Sequence, residues 1–179
     1  MRQEFKDAVL ISAGIMLFIL SIVGISALIS SSRHESPEVL KRFASSAIHF
    51  HDRINDTDLL LNIEILIQMI PEETISNSTE IEDMLKDGRL GARSYQENLG
   101  WLQPTTDTIF VYESLLRESA LILSCYSNLT LAWSAKQSGD DASCLQYCDE
   151  TIINYEELEY LRLRNRTYLD NLQLQAELE

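Results

Sequence analysis

Lysine is scarce in this chain: Lys6, Lys41, Lys86 and Lys136 are the only four in 179 residues. Proline (3), glycine (6) and cysteine (3) are sparse too, and aromatic residues make up only 8%. Each shortage excludes something. Few prolines and glycines mean little backbone punctuation, so long uninterrupted elements are expected. Three cysteines cannot staple a disulfide scaffold, and a domain of this length buries enough apolar surface to fold without one. No stretch alternates apolar and polar residues in the strand manner, which points to an all-α fold. Signature motifs are missing as well. There is no Cys-x-x-Cys-His haem attachment, no glycine-rich phosphate loop and no Gly-x-Ser-x-Gly elbow. The Glu-x-x-His pair of di-iron bundles is also lacking, so the chain reads as a non-enzyme without a cofactor.

Positive charge is the next deficit. The net charge is -14, and Arg2 and Lys6 balance Glu4 and Asp7 in the first seven residues. Residues 33–179 therefore hold the whole imbalance, 12 basic side chains against 26 acidic ones. Such a surface repels phosphate backbones, which excludes nucleic acid as a partner.

One long apolar run is present. Ala8 to Ile29 contains 22 residues and no charge. At 1.5 Å per residue it extends about 33 Å, enough to cross a bilayer core. A cleaved signal peptide usually has a shorter apolar run behind a net positive start, and this start is neutral. The expected organisation is a tail (1–7), a transmembrane helix (8–30), a linker (31–36) and a helical-bundle domain (37–179). Membrane lipid is then a partner through residues 8–29. Gly14, Ser21 and Gly24 are small residues of the kind that let membrane helices pack closely, but they are also ordinary in such spans, so a homo-oligomer stays open.

Flanking charge does not orient the span. Arg2 and Lys6 stand before it and Arg33, Lys41 and Arg42 after it. Sequons lean one way. Asn55, Asn77, Asn128 and Asn165 each begin an Asn-x-Thr triplet, four among eight asparagines, where chance would give about 0.4. Asn and Thr also serve as helix caps, and Asn77 suits that role. The excess favours an extracytoplasmic domain at the cell membrane, with these four as glycosylation candidates.

Within the domain, Ser36-Pro37-Glu38 starts a helix with a capping hydroxyl, Pro at the first helical position and an acid in the first turn. Leu40, Phe43, Ala44, Ala47, Ile48, His51 and Ile54 follow at helical spacing. One long helix is expected over 37–70, kinked or restarted near Thr57 and stopped by Pro71. Residues 71–105 read as an insertion with short helices over 78–87, closed by Gly88, and 92–99, with Trp101 and Leu102 tucked into the core. Thr106 is the expected cap of a second long helix, 106–137. Its stripe runs through Ile109, Tyr112, Leu116, Ser119, Leu123, Tyr126, Thr130 and Trp133, widened by Leu115, Ile122 and Leu129. Leu116 and Leu123 fall at its centre and Leu121 opposite. Ser138-Gly139-Asp140-Asp141 is a turn with the next cap built in, opening a third long helix over 141–177. Its stripe is Cys144, Cys148, Thr151, Tyr155, Leu158, Leu161, Leu169, Leu172 and Ala176, with Asn165 beside it. Three matched helices of this kind make an elongated up-down bundle.

Candidate chemistry is thin. A Cys125–Cys148 disulfide would suit an extracytoplasmic address, but hairpin register leaves the two about 9 Å apart along the axis, beyond the usual reach. Buried free thiols are the alternative. Cys144 and Cys148, one turn apart, lack further metal ligands nearby, and His49 and His51 diverge on a helix, so no metal site is expected. The function expected is protein–protein contact by a membrane-anchored accessory or scaffold subunit with an unknown protein partner. The alternative is an extracytoplasmic ligand-sensing domain that signals through a partner.

Overall fold

The computed structural model describes residues 36–72 and 78–178. The expected membrane span, residues 8–29, lies outside them, as does Asn77. Among the described residues no helix is long and apolar enough to cross a membrane.

Every regular element among these residues is an α-helix: α1 (Pro37–Asp56), α2 (Leu59–Glu72), α3 (Ser78–Leu99), α4 (Ile109–Gln137) and α5 (Asp141–Leu178). Helices α1 and α2 form one broken rod. The break comes where cap-type residues cluster. Thr57 Oγ1 donates to Ile54 O at 3.1 Å, and Asp58 takes φ 51°, a left-handed conformation that Asp tolerates better than most residues. Asp58 O then accepts from Asn62 N at 2.8 Å and starts α2.

Side-chain contacts give the directions. Along α4, Glu118, Tyr126 and Lys136 meet His51, Leu59 and Pro71 in ascending order, so the α1–α2 rod and α4 run parallel. Tyr95, Gly88 and Glu82 meet Glu118, Tyr126 and Trp133, so α3 is antiparallel to α4. Helix α5 returns antiparallel after a turn in which Gly139 adopts φ 79°. Asp140 caps α5 by accepting from Ser143 N at 3.1 Å. The result is an up-down-up-down bundle of four rods, in which α3 and α5 are the pair that do not pack together.

Residues 78–99 are not two short helices in an end insertion but one 22-residue helix running along the bundle. Gly88 does not stop it. A Cβ at Gly88 would fall 1.9 Å from Cε1 of Tyr126, so the missing side chain makes room for that ring. Tyr126 passes over Gly88 and donates to Leu59 O at 2.6 Å, tying α3 and α4 to the start of α2. A glycine inside a helix costs about 1 kcal/mol against alanine; here the fully buried tyrosine offsets it.

The buried face of α4 also differs from the one expected. Leu115, Glu118, Ile122, Cys125, Leu129 and Ala132 are its buried line, at 3-4-3-4-3 spacing. Leu116, Leu121 and Leu123 are all only half-buried, and Ile109 is exposed. Leu115, Ser119, Ile122, Tyr126, Leu129 and Trp133 of the expected stripe are buried, but its centre lies one residue away from Leu116 and Leu123, because a glutamate occupies the middle of the true face. Thr106 is not the cap either. Thr108 Oγ1 accepts from Thr105 N at 2.8 Å in the turn before α4. Trp101 is 81% exposed and Leu102 alone turns inward. By contrast, α1 and α5 bury the stripes expected of them, Tyr155, Leu172 and Ile48 at the edges.

Candidate functional site

A carboxylate lies at the centre of the bundle. Glu118 is 0% exposed, and each of the other three rods sends a polar side chain to it. Tyr95 of α3 donates to Oε1 at 3.2 Å, and Asn165 of α5 donates to Oε2 at 2.7 Å. Arg162 Nε of α5 lies 3.5 Å from Oε1, and His51 Nε2 of α1 lies 3.7 Å from Oε2. Further out, Ser114 Oγ donates to Asn165 Oδ1 at 2.6 Å and accepts from Arg164 at 3.0 Å. On the α1–α5 seam Arg166 pairs with Asp52 and with Asp170, and the Asp52 hydrogen bond raises its guanidinium pKa. A buried carboxylate is tolerated only with such donors and an opposite charge around it.

Glu118 is sealed from solvent, and burial, then Glu118, holds the Tyr95 phenol well above its ordinary pKa. Among the described residues no group of His, Cys, Asp and Glu could hold a metal ion. What the arrangement does is set register. A slip by one turn would move each donor about 5.4 Å and strand the charge.

The residues singled out from sequence fall elsewhere. Cys125, Cys144 and Cys148 are buried free thiols, so the Cys125–Cys148 bridge is not formed. Cys125 Sγ instead faces Thr151 O at 4.0 Å. Burial pushes the Cys125 thiol up to about 12, and burial together with Cys144 pushes Cys148 up to about 12, so neither is a ready nucleophile. Asn165 is fully buried with its amide committed to Glu118 and Ser114, which leaves no group for a glycan in the folded chain. Asn128 is half-buried on α4, and Asn55 lies in the last turn of α1. His49 is exposed and His51 buried, on separate faces.

Two outer surfaces went unread in the sequence. On α5, Leu145, Ile152, Ile153, Tyr160, Leu163 and Leu174 are exposed. They recur at helical period on the side away from Leu158, Asn165 and Leu169, so this helix carries an apolar stripe on its outer face as well as its inner one. Asp149 and Glu156 stand within the outer stripe, and residues 141–160 include no Lys or Arg. On α3, Lys86, Arg89 and Arg93 line one side of a groove of about 350 Å³ shared with α4. Leu85, Leu90 and Trp133 supply its apolar lining. The 3-4 spacing of those cations was visible in the sequence; that an apolar groove runs beside them was not. No family model, curated protein or solved structure matches this chain.

Proposed function

We propose that this chain is an interaction subunit: residues 8–29 anchor it in the cell membrane, and the bundle, outside the cytoplasm, acts as an accessory or scaffold domain through protein–protein contact. The observation that carries this reading is the exposed apolar stripe along the outer face of α5, where Ile153 is 66% and Leu163 71% exposed. Rows of large apolar side chains in contact with water are the mark of a surface that is covered in use. The sealed polar centre supports the same reading, since it offers a substrate no entry.

A photo-crosslinking residue at position 153 of the full chain, in intact membranes, tests it. A protein adduct is expected at 153 and not at the exposed Glu113 position on α4. Absence of any adduct at 153 would overturn the reading. The side of the membrane is tested by Ser127→Cys, an exposed site in a chain whose own thiols are buried. An impermeant maleimide should label it on intact cells; labelling only after lysis would put the bundle in the cytoplasm.

The alternative, a ligand-sensing domain signalling through a partner, draws on a groove of about 640 Å³ between the start of α1 and residues 101–105, bordered by Arg42, Phe43, Phe50 and Trp101. Such a sensor would shift Trp101 emission on binding its ligand, which the interaction reading does not require.

A further inference from the structure

The two outer surfaces match each other. On α3, Lys86 and Arg93 are seven residues apart, with Arg89 and Leu90 between them. On α5, Asp149 and Glu156 are also seven apart, with Ile152 and Ile153 between them. Each pair thus spans about 10.5 Å along its helix. All eight side chains are exposed, and the four paired charges, with Arg89, make no salt bridge among the described residues. An acid–apolar–acid pattern on one helix therefore matches, in length and opposite sign, a base–apolar–base pattern on another.

The fold sets these surfaces back to back. Helices α3 and α5 are the rods that do not pack together, and both run antiparallel to α4. Their outward faces therefore point away from each other while the helices run in the same direction. Their heights agree as well. Gly88 is level with Tyr126 and Tyr95 with Glu118, while Ser124 is level with Asn154 and Arg117 with Glu157. By these registers Lys86 stands level with Asp149, and Arg93 with Glu156. Two copies placed side by side in the same orientation, without axial shift, bring the pairs into opposition. Ile152 and Ile153 then meet Leu90 and the groove beside Trp133.

We infer that the partner of the α5 face is the α3–α4 groove of a second copy of this chain. The contact is heterologous: each copy offers both a donor and an acceptor face, so it propagates head to tail into a row. A symmetric α5–α5 contact would instead bring acid against acid over residues 141–160. The same-direction arrangement suits copies anchored in one membrane, and to that extent the inference deepens the function proposed above. The complementarity itself lies wholly within residues 82–160.

Charge reversal in the full chain tests it by sedimentation in density-matched detergent. Lys86→Glu with Arg93→Glu, or Asp149→Lys with Glu156→Lys, should each weaken self-association about tenfold. Mixing the two variants, or placing all four changes in one chain, should restore it. Raised salt should weaken the wild-type association. The changes are at exposed sites, and helical circular dichroism checks that each variant folds. Self-association that ignores either reversal, or fails to return in the fourfold variant, would overturn the inference. In the position-153 crosslinking experiment, an adduct to residues 86–93 of another copy supports it. An adduct only to a different protein overturns it while leaving the interaction reading intact; no adduct removes both.

Discussion

Two levels of the bundle hold the same four rods together by different means. At Glu118 the rods meet through a carboxylate, a phenol, an amide, a guanidinium and an imidazole. One to three turns along α4, around Ile122, Tyr126 and Leu129, they meet chiefly through fully buried apolar surface, which the Tyr126 hydroxyl crosses to reach Leu59 O. Apolar burial is non-directional and tolerates sliding. A buried carboxylate does not, because its donors must arrive at one height and one angle. The apolar level supplies most of the stabilisation, and the polar level selects which alignment receives it.

The sharpest way to break this contrast is Glu118→Ala. It leaves Arg162, Asn165 and Tyr95 facing an apolar methyl, and loss of one member of a buried charged group costs about 3–5 kcal/mol. Chemical denaturation should show that loss, whereas Glu118→Gln, which keeps an acceptor, should lose less. Equal losses would mean that the charge contributes nothing to the polar level.

At the apolar level the corresponding change is Gly88→Ala. The added methyl would enter the Tyr126 ring, which is locked between Gly88 and Leu59 O. Overpacking of this kind costs about 1–3 kcal/mol, in spite of the higher helix propensity of alanine. A stabilised variant in thermal unfolding would show that the two helices can separate without cost.

Alkali gives the smallest effect per step and again divides the levels. The folded pKa of Cys125 is raised from 9.0 to about 12 by burial. Below the unfolded value the thiol is protonated in both states and its stabilising contribution is fully present. As pH rises from about 9 toward 12 the unfolded state loses its proton first, and stability falls by at most about 1.4 kcal/mol per pH unit for this thiol. Tyr95, also raised, adds to the fall above pH 10. Urea midpoints between pH 8 and 11 measure the slope, and Cys125→Ala should lessen it between 9 and 10, leaving the part due to Cys148, which burial also raises to about 12. An unchanged slope in that variant would locate the titration elsewhere.

Legibility followed the same division. The inner face of α5 could be read because Cys144, Cys148, Leu158, Leu161 and Leu169 hold its line on both sides of the two polar members that turn inward, Arg162 and Asn165. That of α4 was misread by one residue because Glu118 breaks its line, and a stripe drawn through hydrophobic residues shifts to avoid it. Helix α3 was divided at Gly88 because glycine ends many helices. Here it marks a close approach, and the two uses look alike until the facing residue, Tyr126, is known. Asn165 drew notice as a sequon, yet its partners lie 47 and 51 positions away, at Glu118 and Ser114. The outer stripe of α5 was in plain view as a second apolar periodicity, hidden only by attention to the first.

By itself the sequence determined the helical class, the break near Thr57, the turn at 138–140 and the inward stripes of α1 and α5. Each rests on interactions within a few residues of chain: a capping carboxylate, a left-handed Asp58, a repeat of 3.6. Only the tertiary structure decided the number of rods, the face of α4, the role of Gly88 and the pairing of Glu118 with its donors. Those depend on which residues from distant segments arrive at the same height, and no local periodicity carries that information.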